Sequence, residues 1–244
     1  MRKLAVIALA LVSCGGEPVQ VPPLPSVAPP STISPDPIPP SNSEPPPPAV
    51  DLPDGLPAAF GEDLDPADLP GSALVPKGAE VTGLWFARTA EGDAVVVAWA
   101  DPEGDPFRRD GGIAAWRRFD DDPPWRAVFG RATLAEEGVL GVRATTSDVT
   151  GDGSEDALVV QDTGGTGACG RYVVLDLLAG SAVWERELCD AQVDPSTAPV
   201  GLVIDQAVYE PGDAHCCPSA FRRTVLTYDG DGGWTKVSVE ETSV

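Results

Sequence analysis

Short apolar and β-branched segments recur along the chain after residue 80, separated by turn residues, and almost none has a helical period. Gly, Pro and Asp fill the connecting segments because Gly takes positive φ, Pro fixes φ and Asp hydrogen-bonds its own backbone. Only Ala132 to Gly138 is expected to make a helical turn. The pattern predicts an all-β domain of antiparallel strands and hairpins. The predicted strands are 81–88, 94–100, 113–119, 125–131, 139–147, 157–161, 171–178, 181–188, 200–209, 221–228 and 234–239.

Residues 17–76 have a different composition. Nineteen of the chain's 27 prolines lie there, with nine acidic residues and no Lys or Arg. Such a segment has too little apolar surface to offset the entropy of ordering, and runs such as Pro45 to Pro48 favour extended polyproline geometry. We therefore expect residues 14–76 to form a disordered, acidic, Pro-rich tether and residues 77–244 to form the folded domain.

The N-terminus has the order of a secretory signal, with Met1-Arg2-Lys3 before an apolar run from Leu4 to Val12. That run is too short to cross a bilayer, which takes about 20 helical residues. It ends in Leu11-Val12-Ser13-Cys14, which resembles the bacterial lipobox. The resemblance implies cleavage of a signal peptide, 1–13, and attachment of a diacylglyceryl group to the Cys14 thiol. A lipid anchor on the extracytoplasmic face of a cell membrane is expected; the alternative is an ordinary signal peptide with an incidental cysteine.

The domain is acidic, with 29 Asp and Glu against 14 Lys and Arg from Gly71 onward, which leaves a net charge of −15. This balance argues against nucleic acid and against an anionic membrane surface as partners, because both would repel it. It favours cations. The partner class left open is an unknown envelope or extracellular molecule.

Four cysteines remain besides Cys14, and an even number in an exported chain predicts disulfides, with three possible pairings. Folding the predicted strands 171–178 and 181–188 as a hairpin places Cys169 and Cys189 opposite each other. That geometry favours a Cys169–Cys189 bridge closing a loop of about 20 residues, for about 3 kcal/mol in the chain-entropy model. A vicinal Cys216–Cys217 disulfide would be left, with crossed pairing as the alternative.

The segment from Asp148 to Asp156 reads Asp-Val-Thr-Gly-Asp-Gly-Ser-Glu-Asp and carries oxygen donors at positions 1, 3, 5 and 9, with Gly at position 6. A short loop wraps a hard cation in this way, with alternate side chains inward and a carbonyl from position 7. It is not an EF-hand, because position 12 is Val159. The alternative is a hairpin turn without an ion.

The same loop, followed by the predicted strand 157–161, resembles the calcium loop of FG-GAP and VCBS repeats, the blade units of integrin-type β-propellers. The resemblance covers 139–161 and implies a partial propeller-like arrangement, with a sandwich as the alternative. It implies a structural Ca²⁺ whose ligands are the side chains of Asp148, Thr150, Asp152 and Asp156 and the carbonyl of Ser154. The loop and the segment 212–219 are also similar to uncharacterised actinobacterial exported lipoproteins, a likeness that implies no activity.

Two further motifs resemble a nucleotide site and a metal site, but each lacks a feature that such a site requires. The segment 165–170 matches G-x-G-x-x-G, but a strand-forming run follows where a nucleotide site needs a helix. His215-Cys216-Cys217 could hold a soft metal, but adjacent residues rarely reach one ion and no C-x-x-C partner exists. We therefore expect no nucleotide and no metal at these positions.

The functional hypothesis from sequence is a non-enzymatic, calcium-stabilised binding or scaffolding module on a membrane-anchored lipoprotein. No catalytic residue can be nominated: there is no G-x-S-x-G elbow, and His215 is the sole histidine. The alternatives are a secreted hydrolase that uses a carboxylate pair and a purely structural envelope lipoprotein.

Overall fold

The computed structural model describes residues 51–61, 64–105, 107, 109–119, 122–164, 168–214, 217–230 and 233–243. The expected signal peptide, Cys14 and the first part of the Pro-rich segment lie outside these residues. Within the described ranges, no helix combines the length and the apolar character that membrane crossing requires.

The described residues form β-strands joined mostly by tight turns, so the all-β prediction is confirmed. Three single-turn 3₁₀ segments, Pro66–Asp68, Gly71–Ala73 and Ala135–Glu137, are the helical elements of this part of the chain. The third lies where a helical turn was expected. The strands are β1 Ala59–Phe60, β2 Glu80–Thr89, β3 Gly92–Ala100, β4 Gly111–Phe119, β5 Asp122–Thr133, β6 Gly141–Ser147, β7 Asp156–Gly164, β8 Cys169–Asp176, β9 Ser181–Leu188, β10 Ala191–Thr197, β11 Val200–Val208, β12 Ala220–Tyr228 and β13 Trp234–Ser243.

The strands pair with their sequence neighbours in three antiparallel sheets. Sheet 1 contains β2 to β5 in order, with the short β1 added beside β5; sheet 2 contains β6 to β9; and sheet 3 contains β10 to β13. Apart from β1, which pairs with β5, the strands of each sheet form a meander in which consecutive strands are joined as hairpins, as the turn-rich sequence predicts.

Apolar side chains join the sheets face to face. On β7, Ala157 and Val159 pack in a cluster with sheet 1, whereas Leu158 and Val160 pack in a cluster with sheet 3. Sheet 2 is therefore buried on both faces, which explains why β7 reads as a continuous apolar run rather than an alternating one. The stack is sandwich-like, with sheet 2 in the middle.

The folded unit begins earlier than the composition indicates. Leu56, Leu69 and Leu74 are buried against Trp116 and Trp125 on the outer face of sheet 1. The indole Nε1 of Trp116 donates a hydrogen bond to the carbonyl of Leu74 (3.1 Å). The described residues between 51 and 76 therefore belong to the folded unit, so the boundary expected after residue 76 lies too late in the chain. Composition averaged over sixty residues hides a few leucines spaced so that each meets the sheet.

Two strands were not predicted. β1 has two residues, too few for any period to be visible. β10 contains Asp194-Pro195 and is mostly polar. Proline cannot donate to a central ladder, but β10 is the edge strand of sheet 3, where that donor is not needed.

Candidate cation-binding loop

The loop from Asp148 to Asp156 connects β6 to β7 at one edge of sheet 2, and Asp156 is the first residue of β7. Gly151 and Gly153 take φ of +81° and +86°, a region that L side chains rarely adopt. The glycines at these positions therefore let nine residues turn tightly enough to bring Asp156 back to the start of the loop.

Asp156 lies at the centre of the loop with no exposed surface. Its Oδ2 accepts hydrogen bonds from the backbone N–H of Val149 (3.0 Å) and from the N–H (2.9 Å) and hydroxyl (3.0 Å) of Thr150. Its Oδ1 is buried and, among the residues that the structure describes, has no hydrogen-bond partner. The loop thus provides hydrogen-bond donors to only one of the two carboxyl oxygens.

Burial raises the pKa of the Asp156 carboxyl to about 6, and the nearby charge of Asp176 acts in the same direction. The three hydrogen bonds from Val149 and Thr150 favour the ionised form but do not outweigh the loss of solvation. A cation next to Asp156 would therefore stabilise its ionised form.

The two other aspartates of the loop hold its backbone. Asp148 accepts hydrogen bonds from the N–H of Gly151 (2.6 Å) and of Gly153 (3.1 Å), one on each carboxylate oxygen. Asp152 accepts one from the N–H of Ser154 (2.7 Å). These are local bonds of the kind Asp makes in turns, so they form whether or not an ion is present.

Ser154 and Glu155 attach the loop to the turn between β2 and β3, a contact that the sequence did not indicate. The Ser154 hydroxyl accepts a hydrogen bond from the N–H of Ala90 (3.0 Å), and Ser154 is fully buried. Glu155 donates its N–H to the carbonyl of Arg88 (2.9 Å) and accepts from the N–H of Arg88 through Oε2 (2.6 Å). The loop therefore fastens sheet 2 to sheet 1.

The donor set suits a hard cation only in part. Its side-chain donors are all oxygens, the type that Ca²⁺ prefers, and the orphaned Oδ1 of Asp156 is available for a bond. However, no group of three or more Asp, Glu, His or Cys residues in the described ranges is arranged to hold a metal ion. Asp148, Asp152 and Asp156 belong to one hydrogen-bonded loop but are not gathered as a complete ligand shell.

The predicted hairpin disulfide, Cys169–Cys189, is present and is confirmed. Gly170 pairs with Leu188, so the bridge closes the open end of the β8–β9 hairpin. Cys217 is exposed, and His215 and Cys216 lie outside the described residues, so the Cys216–Cys217 bridge stays a prediction. Cys169 and Gly170, the last residues of the G-x-G-x-x-G match, begin β8 where a nucleotide fingerprint needs a helix.

A cavity of about 540 Å³ lies elsewhere, where β3 runs into β4, and is called here the β3–β4 cavity. Trp99 lines it together with five charged residues, namely Asp54, Lys77, Asp101, Glu103 and Asp110. Asp156 is not among its lining residues. The sequence did not point to this cavity because part of its wall comes from the segment assigned to the tether.

No family model matches the chain, and neither the curated proteins nor the solved structures contain a match.

Proposed function

We propose that this chain is an exported lipoprotein, anchored through Cys14, whose β domain acts as a non-enzymatic binding or scaffolding module stabilised by calcium. The signal-like N-terminus and the lipobox pattern support export and anchoring. The observation that carries the calcium part is the buried Oδ1 of Asp156, which has no hydrogen-bond partner among the described residues and lies within a loop of oxygen donors.

Calcium would supply the positive charge that the Asp156 carboxylate lacks. Asp148, Thr150, Asp152 and Asp156 would contribute side-chain oxygens, and Ser154 its carbonyl. Because Ser154 and Glu155 also hold the β2–β3 turn, a stiffer loop would strengthen the connection between sheets 1 and 2. The ion's role would be structural, and binding to a partner would be left to the rest of the surface.

A thermal melt of the full chain in 10 mM calcium and in chelator tests this. Affinity in the range of about 10⁻⁴ to 10⁻³ M, typical of extracellular calcium modules, predicts a gain of about 1.4 to 2.7 kcal/mol by mass action. The melting temperature should rise by several degrees. Asp148→Asn should abolish the shift while keeping one acceptor oxygen for the loop, and Asp194→Asn on β10 is the control of equal charge change. No shift in wild type would remove calcium from the proposal.

Anchoring has its own test. Cys14→Ser should abolish the incorporation of a labelled fatty acid into the protein, without changing the melting temperature of the domain. A variant that still takes up the label would show that Cys14 does not carry the anchor.

The carboxylate-pair hydrolase is the second candidate, favoured by one observation. Four carboxylates line the β3–β4 cavity, and a glycosidase needs two of them about 5 to 10 Å apart across a substrate. A general acid needs a raised pKa, and the carboxyl with a pKa of about 6, Asp156, does not line this cavity. Assaying the chain on a panel of nitrophenyl glycosides, with Asp101→Asn as control, separates the two candidates. Turnover that this substitution abolishes would favour the hydrolase.

A further inference from the structure

The β3–β4 cavity has walls of ordered backbone. Two hydrogen-bonded turns and the base of the loop between β3 and β4 border it: the N–H of Leu56 donates to the carbonyl of Pro53 (3.1 Å), that of Ala79 to Pro76 (3.0 Å), and that of Asp101 to Asp110 (2.7 Å). The two turns lie against each other, since a Cβ at Gly55 would contact the side chain of Pro76. The N-terminal segment therefore does more than cover the core, because it completes a concave site.

The cavity carries an excess of negative charge. Asp54, Asp101, Glu103 and Asp110 line it against Lys77 alone, so four carboxylates and one ammonium leave three net negative charges. Two of the carboxylates are held in place. Asp101 accepts the N–H of Glu103 (2.9 Å) and Asp110 accepts the N–H of Ala135 (2.7 Å), each through Oδ1, and the Oδ2 atoms take no part in these bonds.

Trp99 and the prolines Pro53, Pro76 and Pro102 belong to the apolar part of the cavity lining. The ring of Trp99 packs over Gly112, where any Cβ would collide with it, and the residue is only 6% exposed. So little exposed surface does not make a platform for a sugar ring. Together with the prolines that line the cavity, it can contact a short alkyl chain.

We propose that the β3–β4 cavity binds an organic cation, an ammonium or guanidinium group on a short alkyl stem. Fixed carboxylates would meet the charged head, and Trp99 with the flanking prolines would meet the stem. The ligand is either a free amine or a Lys or Arg side chain of a partner protein, since both present the same chemistry.

This inference names the ligand class of the binding role proposed above and rests on it, but not on the calcium loop. The calcium loop contacts Arg88 and Ala90, which precede β3. The cavity is lined by Trp99, which lies near the other end of β3. The intervening strand of nine residues spans roughly 30 Å. The two sites can therefore fail independently.

The test is a calorimetric titration of the full chain with 1,5-diaminopentane and, separately, with an acetylated and amidated trilysine peptide. Both are run in calcium and in chelator. The test variant is Asp101→Asn with Asp110→Asn, which keeps the Oδ1 acceptors and so the backbone bonds. The matched control is Glu210→Gln with Glu240→Gln, two exposed sites outside the cavity with the same change in net charge. Glu103→Gln serves as a second variant should the first one melt early.

Saturable binding by wild type, weakened roughly tenfold or more in the cavity variant and less than twofold in the control, supports the proposal. Tighter binding of the diamine indicates a free amine, and tighter binding of the peptide indicates a protein partner. The proposal is overturned by an absence of saturable binding up to 10 mM, by equal losses in both variants, or by equal binding of neutral 1-pentanol. A missing calcium shift in the same samples would count against the calcium loop and leave the cavity result intact.

Discussion

Two aspartates, Asp93 and Asp156, lie in contrasting surroundings at the ends of their strands. Asp93 is on β3, with its side chain 15% exposed, and accepts hydrogen bonds from the guanidinium groups of Arg88 (2.6 Å) and Arg118 (2.5 Å). Burial alone would raise its pKa, but the bonds and charges of the two arginines together lower it below the usual value. Asp156 is fully buried, accepts hydrogen bonds from neutral groups on Oδ2, and has its pKa raised to about 6.

The fold neutralises the Asp93 carboxylate with its own guanidinium groups, whereas the donors to Asp156 among the described residues are neutral. At Asp93 the cations come from the protein, so the carboxylate contributes to the stability of sheet 1. At Asp156 none of the hydrogen bonds comes from a cation, and the ionised carboxylate opposes folding unless a cation arrives. We therefore expect a cation bound in the loop from Asp148 to Asp156 to increase the stability of the fold.

The largest expected effect is that of deleting the Asp156 carboxyl. Asp156→Ala would leave the buried N–H of Val149 and the N–H of Thr150 without an acceptor, at about 1 to 3 kcal/mol for each buried group. We expect a loss of roughly 2 to 4 kcal/mol in the free energy of unfolding, measured by urea denaturation at pH 4 in chelator, where the carboxyl is protonated and carries no cost of a buried charge. Asp156→Asn keeps an acceptor and should recover at least half of it. Equal losses in both variants would show that the hydrogen bonds are not what the residue contributes.

The second effect is on pH dependence. The folded pKa of Asp156, about 6, lies above its unfolded value of 3.8, so the folded state holds the proton more tightly. Its contribution to stability is therefore fully present below pH 3.8 and is lost as the pH rises to about 6, by up to about 3 kcal/mol. Wild type in chelator should lose stability relative to Asp156→Asn over this window, measured as the difference between their denaturation midpoints. Parallel pH profiles would contradict the unbalanced charge.

Asp93 should show the opposite sign and a smaller size. Because its folded pKa is lowered, its contribution is present above the unfolded value of 3.8 and is lost as the pH falls through the folded pKa. Asp93→Asn should cost about 1 to 2 kcal/mol at pH 7, since Arg118 is mostly buried whereas Arg88 is 57% exposed and its share is screened. The cost should shrink on acidification below pH 3.8 and in high salt. A loss that is independent of both would mean that packing, not charge, is responsible.

The smallest effect is expected at a solvated ion pair. Arg222 and Glu241 join β12 to β13 with side chains about half exposed, 48% and 51%. Glu241→Gln should change the free energy of unfolding by less than about 0.5 kcal/mol at any pH between 5 and 8. This variant is the reference for the three larger effects above. A larger change in the free energy of unfolding would show that an exposed ion pair stabilises sheet 3 more than its solvent exposure implies.

Strands were the most predictable part of the fold, because residues between tight turns pair with their neighbours. The eleven predicted strands all correspond to observed ones, with ends that differ by a few residues. β10 was missed because an edge strand can contain Pro195 and polar residues, which weaken the strand pattern. The start of the domain was missed for a related reason: leucines such as Leu56 and Leu74 reveal their role only when the outer face of sheet 1 is in place to receive them.

The candidate site divides in the same way. The loop residues could be predicted because Asp and Gly at fixed spacing make local hydrogen bonds, as Asp148 does with Gly151 and Gly153. The burial of Asp156, the fastening of Ser154 to Ala90 and the cavity beside Trp99 could not, because each depends on a partner distant in sequence.

Contacts between neighbours along the chain are enough to specify the strands, the turns, the Cys169–Cys189 hairpin bridge and the backbone of the aspartate loop, so these features could be predicted from sequence. Contacts between sheets specify which face of each strand is buried, which early residues join the core, and which carboxylates have a cationic partner among the described residues. The physical reason is that desolvation and packing are set by the sheets that stack above and below, and such contacts join residues that no local pattern connects.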